Sequence, residues 1–400
     1  MPCLLGASLT LAVLSAAPAP ALHTALAARF SSIEWTPARV ERLVREMPKV
    51  ETHLHLDGAL SSETVQALAR MQGDSPLAGL SLDEIRRRTV VDEPRENLAA
   101  VLEVFKTLYP LLRRREALHL AARELVAQAA RDGTRYVEVR FAPALNAAPG
   151  FSQEDALDAV LAGLAEGRRL HAVGSGVIVC LLRPPGFVDL ATNRKMLELA
   201  IAARRRGVVA VDLAGNEAAE PLATYAELFR RAREGGLHLT AHAGEAPGSN
   251  DLATALALGV ERLGHATLLG ERPDQLAEVI RRRIPLEVNL TSNLRTGVVA
   301  RIADHPVRTW FRAGATIALS TDDPGIFGID LPGEYLRLAR DLGFTPAELA
   351  TVALQGFDAL FLPPRERVRL RRDAERDLGR LLDELANRSE PSPARKSTTR

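Results

Sequence analysis

The sequence predicts an α/β fold, a closed (β/α)8 TIM barrel with a helical insertion after strand 1 and extra C-terminal helices. Eight short β-branched runs, bounded by Gly, Pro or Asn, alternate with alanine- and leucine-rich stretches whose apolar residues recur at helical spacing. This alternation indicates a parallel sheet, and eight units favour a closed barrel over an open sheet. Unusual polar residues follow the runs, where barrels assemble their active sites.

The predicted strands share a short apolar pattern that is typical of strands buried on both faces. They are Val50 to Asp57, Thr134 to Phe141, Gly174 to Leu182, Val208 to Leu213, Leu237 to Ala243, Arg262 to Ala266, Leu286 to Leu290 and Ala315 to Ser320. Helical patterns separate the later strands, at Asp155 to Leu170, Asn193 to Arg206, Pro221 to Glu234 and Gln275 to Arg283.

The first unit carries a long insertion, residues 58 to 133, which we expect to cap the site at the top of the barrel. Its helical patterns are Ser62 to Met71, Leu82 to Arg88, Asn97 to Leu112 and Glu116 to Arg131. Further helices follow Pro332 and continue to Asn387. We therefore expect the barrel at 35–388, preceded by an extension or atypical signal-like segment at 1–34 and followed by a disordered tail at 389–400.

The N-terminal segment lacks the basic region of an ordinary secretory signal, since Lys and Arg are absent before Arg29. Its small residues Ala16 to Ala21 resemble a cleavage region. An atypical export signal and a disordered extension both remain open, and the extension is favoured, which predicts a cytoplasmic protein. No later run of about 18 apolar residues indicates a membrane span.

The charge balance and the cysteine count exclude several classes of protein. The 51 basic and 50 acidic residues nearly cancel, so the overall charge does not favour nucleic-acid binding. Cys3 and Cys180 are the two cysteines, which provide neither a disulfide framework nor a Cys-x-x-Cys zinc motif. A metal site would therefore use histidine and carboxylate. The glycine pattern of a dinucleotide site is also absent.

His53 and His55 are two residues apart in the first predicted strand, so their side chains face the same side and can bind one metal ion. Further polar residues follow strands four, five, six and eight, and a barrel would gather them around one axis. They are Gly215, Glu217, His242, Glu245, His265, Asp322 and Asp323. Imidazoles with one carboxylate suit a catalytic zinc ion that keeps a position open for water.

Each of these residues also has a structural interpretation. A single histidine at a strand end is more often a hydrogen-bonded structural residue than a ligand. Asp322 to Gly325 resembles a turn, and Gly215 to Glu217 resembles a helix-capping loop. Five other histidines lack a partner at metal spacing and are assigned as structural or surface residues: His23, His119, His171, His238 and His305.

The polar segments, taken in order, resemble the motif series of the adenosine deaminases. The matching segments are Thr-His-Leu-His-Leu-Asp-Gly at 52–58, Asp-Leu-Ala-Gly-Asn-Glu at 212–217, His-Ala-Gly-Glu at 242–245, Gly-His at 264–265, Thr-Ser-Asn at 291–293 and Ser-Thr-Asp-Asp-Pro at 320–324. One segment departs from the series: Glu287 to Thr291 replaces the approach containing Cys-Pro that many relatives show before Ser-Asn.

The resemblance implies one zinc ion per chain and a role for each matched residue. It implies that Glu245 protonates purine N1 and that His265 orients the attacking water and helps to deprotonate it. The remaining implied roles are zinc ligation by His53, His55, His242 and Asp322, contact with water and purine N7 by Asp323, contact with the ribose 5′-hydroxyl by Asp57, and contact of the Gly215 backbone N–H with purine N3.

The predicted activity is zinc-dependent hydrolytic deamination of adenosine and 2′-deoxyadenosine to the inosine nucleosides and ammonia, in purine salvage. Three related substrates remain open: adenine, 6-aminodeoxyfutalosine and an N6-substituted adenine nucleotide. A non-catalytic purine-binding barrel is a further alternative. The expected partner is a small purine nucleoside, with neither nucleic acid nor membrane, and the oligomeric state is left open.

Overall fold

The structure is a computed structural model that describes residues 24–184 and 188–387. Cys3, the segment from Ala16 to Ala21 and the predicted tail lie outside the described residues. Within the predicted N-terminal extension, Thr24–Ser31 is helical and buries Leu26 and Phe30. None of the described helices combines the length and the apolar character needed to cross a membrane.

Nine strands are present in the described residues, and neighbouring strands pair in parallel. They are β1 Lys49–His55, β2 Thr134–Phe141, β3 Gly174–Leu182, β4 Val208–Ala214, β5 His238–Leu239, β6 His242–Ala243, β7 Leu263–His265, β8 Leu286–Val288 and β9 Ile317–Leu319. The hydrogen-bonded order is β1 to β5 in one group and β6 to β9 in a second.

The predicted fifth strand is split into β5 and β6, because the chain changes its partner between them. The N–H of Thr240 still donates to Val211 of β4, whereas the carbonyl of Ala241 accepts from Gly264 of β7. The barrel closes between its first strand and the segment after β9. There the N–H of His55 donates to the carbonyl of Asp322 at 2.9 Å, and the N–H of Asp322 donates to the carbonyl of His53 at 3.0 Å.

Helices follow the strands in alternation and cover the outside of the sheet. In chain order, the α-helices of the described residues are α1 Thr24–Ser31, α2 Pro37–Glu46, α3 Ser62–Gln72, α4 Leu82–Thr89, α5 Leu98–Leu108, α6 Arg115–Arg131, α7 Pro143–Asn146, α8 Gln153–His171, α9 Leu190–Ala202, α10 Ala226–Glu234, α11 Asp251–Leu258, α12 Pro273–Arg282, α13 Leu290–Arg295, α14 Val307–Arg312, α15 Pro324–Phe327, α16 Leu331–Arg340, α17 Pro346–Ala359 and α18 Pro364–Asn387. Local sequence sets several boundaries. Ser152 and Asp155, for example, form a capping box at the start of α8.

The insertion after β1 forms helices α3 to α6, and α5 lies over the carboxyl ends of the strands. Leu98, Leu102 and Phe105 of α5 line the cavity that opens at this end of the barrel. Pro110 lies in a 3-10 turn, Tyr109–Leu112, that ends the helical run predicted from Asn97. The insertion therefore supplies an apolar cover to a site whose polar groups come from the strands.

Candidate metal-dependent active site

The cavity at the carboxyl ends of the strands brings together the side chains that the sequence singled out. Its lining includes eight of the predicted site residues: His55, Asp57, Gly215, His242, Glu245, His265, Asp322 and Asp323. The ninth, His53, is fully buried next to them, with Nε2 at 3.1 Å from Oδ1 of Asp322. Residues from the first strand and from the segment after the last strand thus meet at one end of the barrel.

Strand β1 is irregular just before its two histidines. Its pairing with β2 shifts between Glu51 and Leu54, so the carbonyl of Thr52 leaves the ladder. That carbonyl accepts instead from the guanidinium groups of Arg140 at 2.8 Å and Arg262 at 3.3 Å. A bulge of this kind redirects side chains, and here the imidazole of His53 is buried inside the barrel.

The hydrogen bond of His53 fixes which ring nitrogen carries a proton. Its Nδ1 lies 2.7 Å from Oε2 of Glu287. Burial opposes the charge of Glu287, but the charges of Arg140 and Arg262 hold the pKa of this carboxyl well below its usual range. An ionised carboxylate can only accept, so Nδ1 donates and Nε2 presents a lone pair. That lone pair faces a carboxylate oxygen of Asp322, and it has no hydrogen-bond donor among the described residues.

His242 has Asp212 beside its Nδ1. Its Nδ1 lies 2.9 Å from Oδ2 of Asp212, which also accepts from Arg140 at 3.0 Å. Burial lowers the pKa of His242 to about 4, so the ring is neutral and carries its proton on Nδ1. Its Nε2 therefore presents a lone pair, 3.4 Å from Nε2 of His55.

Several acceptors thus face one another at the centre of the site. Nε2 of His55 lies 3.3 Å from the same Asp322 oxygen that faces His53. Lone pairs directed at each other repel, and a cation between them would be bound by all of them. Donor atoms of His53, His242, His265 and Asp322 lie within 4.8 Å of one another, and His55 is adjacent. The donor set fits a metal ion.

The backbone is strained at two site residues. Asp322 has φ 65° and His265 has φ 59°, in the left-handed region that residues other than glycine rarely adopt. The hydrogen bonds between Asp322 and β1 hold the first of these conformations in place. Strain of this kind concentrates at functional sites, where the surrounding structure enforces it.

Charge is distributed unequally over three of the four acidic side chains of the cavity, Asp322, Asp323 and Glu245. Burial opposes the charge on Asp322, but His53, with His55 and His265 nearby, holds the pKa of Asp322 well below its usual value. Burial and the adjacent charge of Asp322 raise the pKa of Asp323 well above the usual value. Burial, then Asp322 and Glu217, raise the pKa of Glu245 to about 8. Glu245 is therefore a protonated acid at neutral pH.

A relay of hydrogen bonds sets the tautomer of His265. The N–H of Val307 donates to Nδ1 of His305, so the neutral His305 ring carries its proton on Nε2. That Nε2 lies 3.2 Å from Oδ1 of Asn293, and the Asn293 amide nitrogen lies 3.0 Å from Nδ1 of His265. Nδ1 of His265 therefore accepts, and burial keeps the ring neutral by lowering its pKa well below the usual value. The proton of His265 is on Nε2, which faces the metal site.

Sequence reasoning missed the charged layer beneath the site and the connection of His305 to His265, although His305 is a buried, hydrogen-bonded residue, in keeping with its assignment as structural or surface. The buried members of this layer are Glu138, Arg140, Asp212, Arg262 and Glu287. Arg262 pairs with both Glu138 and Glu287. A signal did exist, since charged residues inside otherwise apolar strands are costly unless they are paired. Their partners, however, could not be read from the sequence.

The comparisons with known proteins agree with this geometry. A sequence model of the family described as "Adenosine deaminase" matches residues 48–376. The chain belongs to the adenosine deaminase family. It is 34% identical over 334 residues to a protein named adenosine deaminase from Lacticaseibacillus paracasei, which covers 84% of this chain and 97% of that protein. A second adenosine deaminase, from Enterococcus faecalis, is 32% identical over 329 residues and covers 82% of this chain and 96% of that protein.

Solved structures of similar proteins share this fold. An amidohydrolase from Burkholderia ambifaria with bound Zn has a TM-score of 0.77 at 27% identity, covering 92% of this chain and 99% of that one. The adenine deaminase from Arthrobacter aurescens has a TM-score of 0.75 at 26% identity, covering 82% and 98%. The N6-methyl-AMP deaminase from Arabidopsis thaliana has a TM-score of 0.74 at 25% identity, covering 84% and 98%.

These findings confirm the predicted barrel, the family and a hydrolase that acts on C–N bonds. They also bear out a histidine and aspartate group able to hold a metal, and one structural neighbour contains zinc. The relatives differ in the 6-aminopurine that their names give.

Proposed function

We propose that this chain is a zinc-dependent deaminase of adenosine and 2′-deoxyadenosine that releases ammonia and acts in purine salvage. One observation carries the proposal: the lone pairs of His53 and His242 converge with the ionised carboxylate of Asp322, beside the protonated carboxyl of Glu245. A cation site and a proton donor in one cavity are the two requirements of a hydrolytic deamination.

We propose His53, His55, His242 and Asp322 as the zinc ligands. His265 lies close enough to be a metal ligand, but neither of its ring nitrogens has a free lone pair. Its Nδ1 accepts from Asn293, and its Nε2 carries the proton, so the ring offers no lone pair to a metal. His55 is next to the same Asp322 oxygen and completes three imidazoles and one carboxylate. Zinc held there would lower the pKa of a water molecule to about 7.

Glu245 is proposed as the general acid. Attack of water on C6 of the purine raises the basicity of N1, and a proton must be delivered there. A carboxyl whose pKa is raised to about 8 retains its proton at neutral pH and can donate it. His265, whose Nδ1 lies 3.8 Å from Glu245, would orient the attacking water by donating from Nε2.

The remaining polar groups would bind the substrate. Burial and the charge of Asp322 raise the pKa of Asp323 well above its usual value, and a carboxyl that keeps its proton can donate a hydrogen bond to purine N7. Gly215 has φ 96°, a conformation that favours glycine, and it lines the cavity, where its backbone N–H would bind purine N3. Leu102, Phe105 and other apolar residues would cover the base.

The cavity favours a nucleoside over a nucleotide. Asp57 lies in its wall, where its carboxylate would accept from a ribose hydroxyl and would repel a phosphate. Arg183 is the one Arg or Lys among the described lining residues, and it is buried and bonded to Asp251 and to the carbonyl of His242. Two of its guanidinium nitrogens, Nε and Nη1, have no hydrogen-bond partner among the described residues, so repulsion by Asp57 is the feature that disfavours a phosphate. This argues against an adenine nucleotide, and a bare adenine would leave Asp57 unused.

Substrate choice and the acid can be tested together. Purified protein, with its metal content measured, is assayed against adenosine, AMP and adenine, and we expect kcat/KM to be at least about 10²-fold higher for adenosine. Glu245→Gln should abolish nearly all turnover while retaining the metal, since an amide cannot transfer the proton. Preference for AMP would overturn the assignment of the nucleoside, and unchanged turnover in the variant would overturn the assignment of the acid.

A further inference from the structure

The buried carboxylate of Glu217 is bonded to the backbone of the loop that carries Glu245. The N–H of Gly244 donates to Oε1 at 2.8 Å, and the N–H groups of Glu245 and Ala246 donate to Oε2 at 2.7 and 2.9 Å. The hydroxyl of Ser249 adds a fourth donor, to Oε1. Both oxygens of this carboxylate are therefore used to hold three consecutive backbone amides.

A carboxylate is required for this arrangement. Three backbone N–H groups point at the two oxygens, and hydrogen bonds to an ionised acceptor are about twice as strong as neutral ones. An amide of the same shape has one oxygen, and its NH2 group would face donors that it cannot satisfy. Glu217→Gln would thus keep the size of the side chain and lose its function as an acceptor for the loop.

The loop is fixed on its other side as well, which leaves Glu217 as one of two anchors. The carbonyl of Gly244 accepts from the hydroxyl of Thr267 at 2.7 Å and from the N–H of Leu268 at 2.9 Å. Gly244 itself has φ 82°, and a Cβ on it would lie 2.7 Å from Leu252. The backbone at 244–246 therefore has little room to adopt another conformation.

The carboxyl of Glu245 depends on that backbone for its position. Among the described residues, no hydrogen bond is recorded for this carboxyl, and the ring nitrogen Nδ1 of His265 lies 3.8 Å from it. A proton donor misplaced by about 1 Å can lose about 10²-fold in rate. The group that fixes the Glu245 backbone therefore controls where the proton is delivered.

We propose that Glu217 is a positioning residue that holds the 244–246 backbone so that the Glu245 carboxyl meets the purine nitrogen. This inference rests on the proposed deaminase function. The negative charge of Glu217 supports it, because burial, Asp322 and Glu217 together raise the pKa of Glu245. Glu217 thus acts on catalysis through Glu245, without a contact to the metal donors.

The test compares Glu217→Gln with Glu220→Gln, three residues away, whose carboxylate accepts from Tyr225 and does not touch the loop. We expect Glu217→Gln to lower kcat for adenosine about 10²-fold, with KM within about threefold and metal content unchanged. Glu220→Gln should match the wild type. Ser249→Ala, which removes one donor and keeps the carboxylate, should lower kcat by about three- to tenfold.

Hydrogen exchange gives a readout that does not depend on activity. The amides of 244–246 should exchange faster in Glu217→Gln than in the wild type, and their exchange in Glu220→Gln should be unchanged. A kcat within twofold of the wild type, or unchanged exchange, would overturn the proposal, as would a loss of kcat matched by a loss of metal. If Glu217→Gln does not fold, Ser249→Ala decides through the same two measurements. A wild type inactive on adenosine would overturn the proposed function, and exchange would still decide the role of Glu217.

Discussion

The two ends of strand β1 each carry a buried polar side chain, and they differ in whether its hydrogen bonding is satisfied. At the first end, Nζ of Lys49 donates to the carbonyls of Val44 at 2.7 Å and Met47 at 2.8 Å. At the other end, Nε2 of His53 faces a carboxylate and has no donor among the described residues. The satisfied ammonium of Lys49 serves the fold, whereas the imidazole of His53 faces other acceptors, an arrangement that fits a missing cation.

This contrast agrees with the general division of roles between the two ends of a (β/α)8 barrel. The amino ends of the strands stabilise the fold, and the carboxyl ends carry the chemistry. Lys49 lies within 3.3 Å of three carbonyls at the end of α2, which places its charge at the negative end of that helix. A change at Lys49 should therefore alter stability alone, and a change at the His53 end should alter metal binding and turnover.

The largest effect is expected from Asp322→Asn, which removes the charge that His53 and His55 face. Metal content should fall below about one tenth of the wild-type value, and turnover of adenosine should fall at least about 10³-fold. Without its charge, the side chain at 322 repels the lone pairs of His53 and His55 less. The substitution should therefore not destabilise the metal-free protein, and its melting temperature should change little. The surface variant Asp274→Asn is the control. A stoichiometric metal in Asp322→Asn would contradict the ligand assignment.

A smaller effect is expected from Asp212→Asn. This substitution weakens the interaction that orients the ring of His242, and it removes no metal ligand. Orienting partners of this kind typically change metal affinity by about 10- to 100-fold, so competition with a chelator should reveal a loss of that size. The variant also leaves Arg140 with one fewer acidic partner, and its melting temperature should fall. Asp158→Asn, which breaks a surface pair with Arg206, should change neither quantity.

The smallest effect on activity is expected from Lys49→Met, with kcat within about twofold of the wild type. The effect of the substitution should instead appear in the free energy of unfolding, measured as a function of pH. Burial lowers the pKa of Lys49 to about 7, against 10.5 as its ordinary value. Between these values the unfolded chain binds more protons, so the free energy of unfolding of the wild type rises with pH.

The comparison is made by urea unfolding between pH 7 and pH 9. The difference in free energy of unfolding between wild type and Lys49→Met should grow in favour of the wild type, at up to about 1.4 kcal/mol per pH unit. Measuring the difference removes the contribution of groups common to both proteins. A difference that is independent of pH would show that Lys49 keeps its ordinary pKa in the folded state.

The sequence predicted the features that depend on local spacing. His53 and His55 were recognised because their separation by two residues in a strand places both rings on one side, and the strands were recognised from short apolar runs. The helix from Asn97 was predicted too long, because Pro110 forces a 3-10 turn at its end. The fifth strand was predicted as continuous because the change of partner at Thr240 depends on neighbours far away in the chain.

The buried residues that hydrogen-bond to the site histidines could not be predicted from local spacing. Glu287 reaches His53 across 234 residues, and Arg262 reaches Glu138 across 124. Such pairs follow from the register of the closed barrel, which a single sequence does not specify. The connection of His305 to His265 was missed for the same reason, since it passes through Asn293 and exists only after folding.

The connections of Glu287 have a consequence for engineering. One carboxylate accepts from His53, Arg140 and Arg262 and from the hydroxyl of Thr240. A designer who transplants the two histidines of β1 into another barrel would therefore obtain rings of undefined tautomer unless this acid and both guanidinium groups were transferred with them. The smallest portable unit of this active site is a cross-section of the barrel rather than a segment of chain.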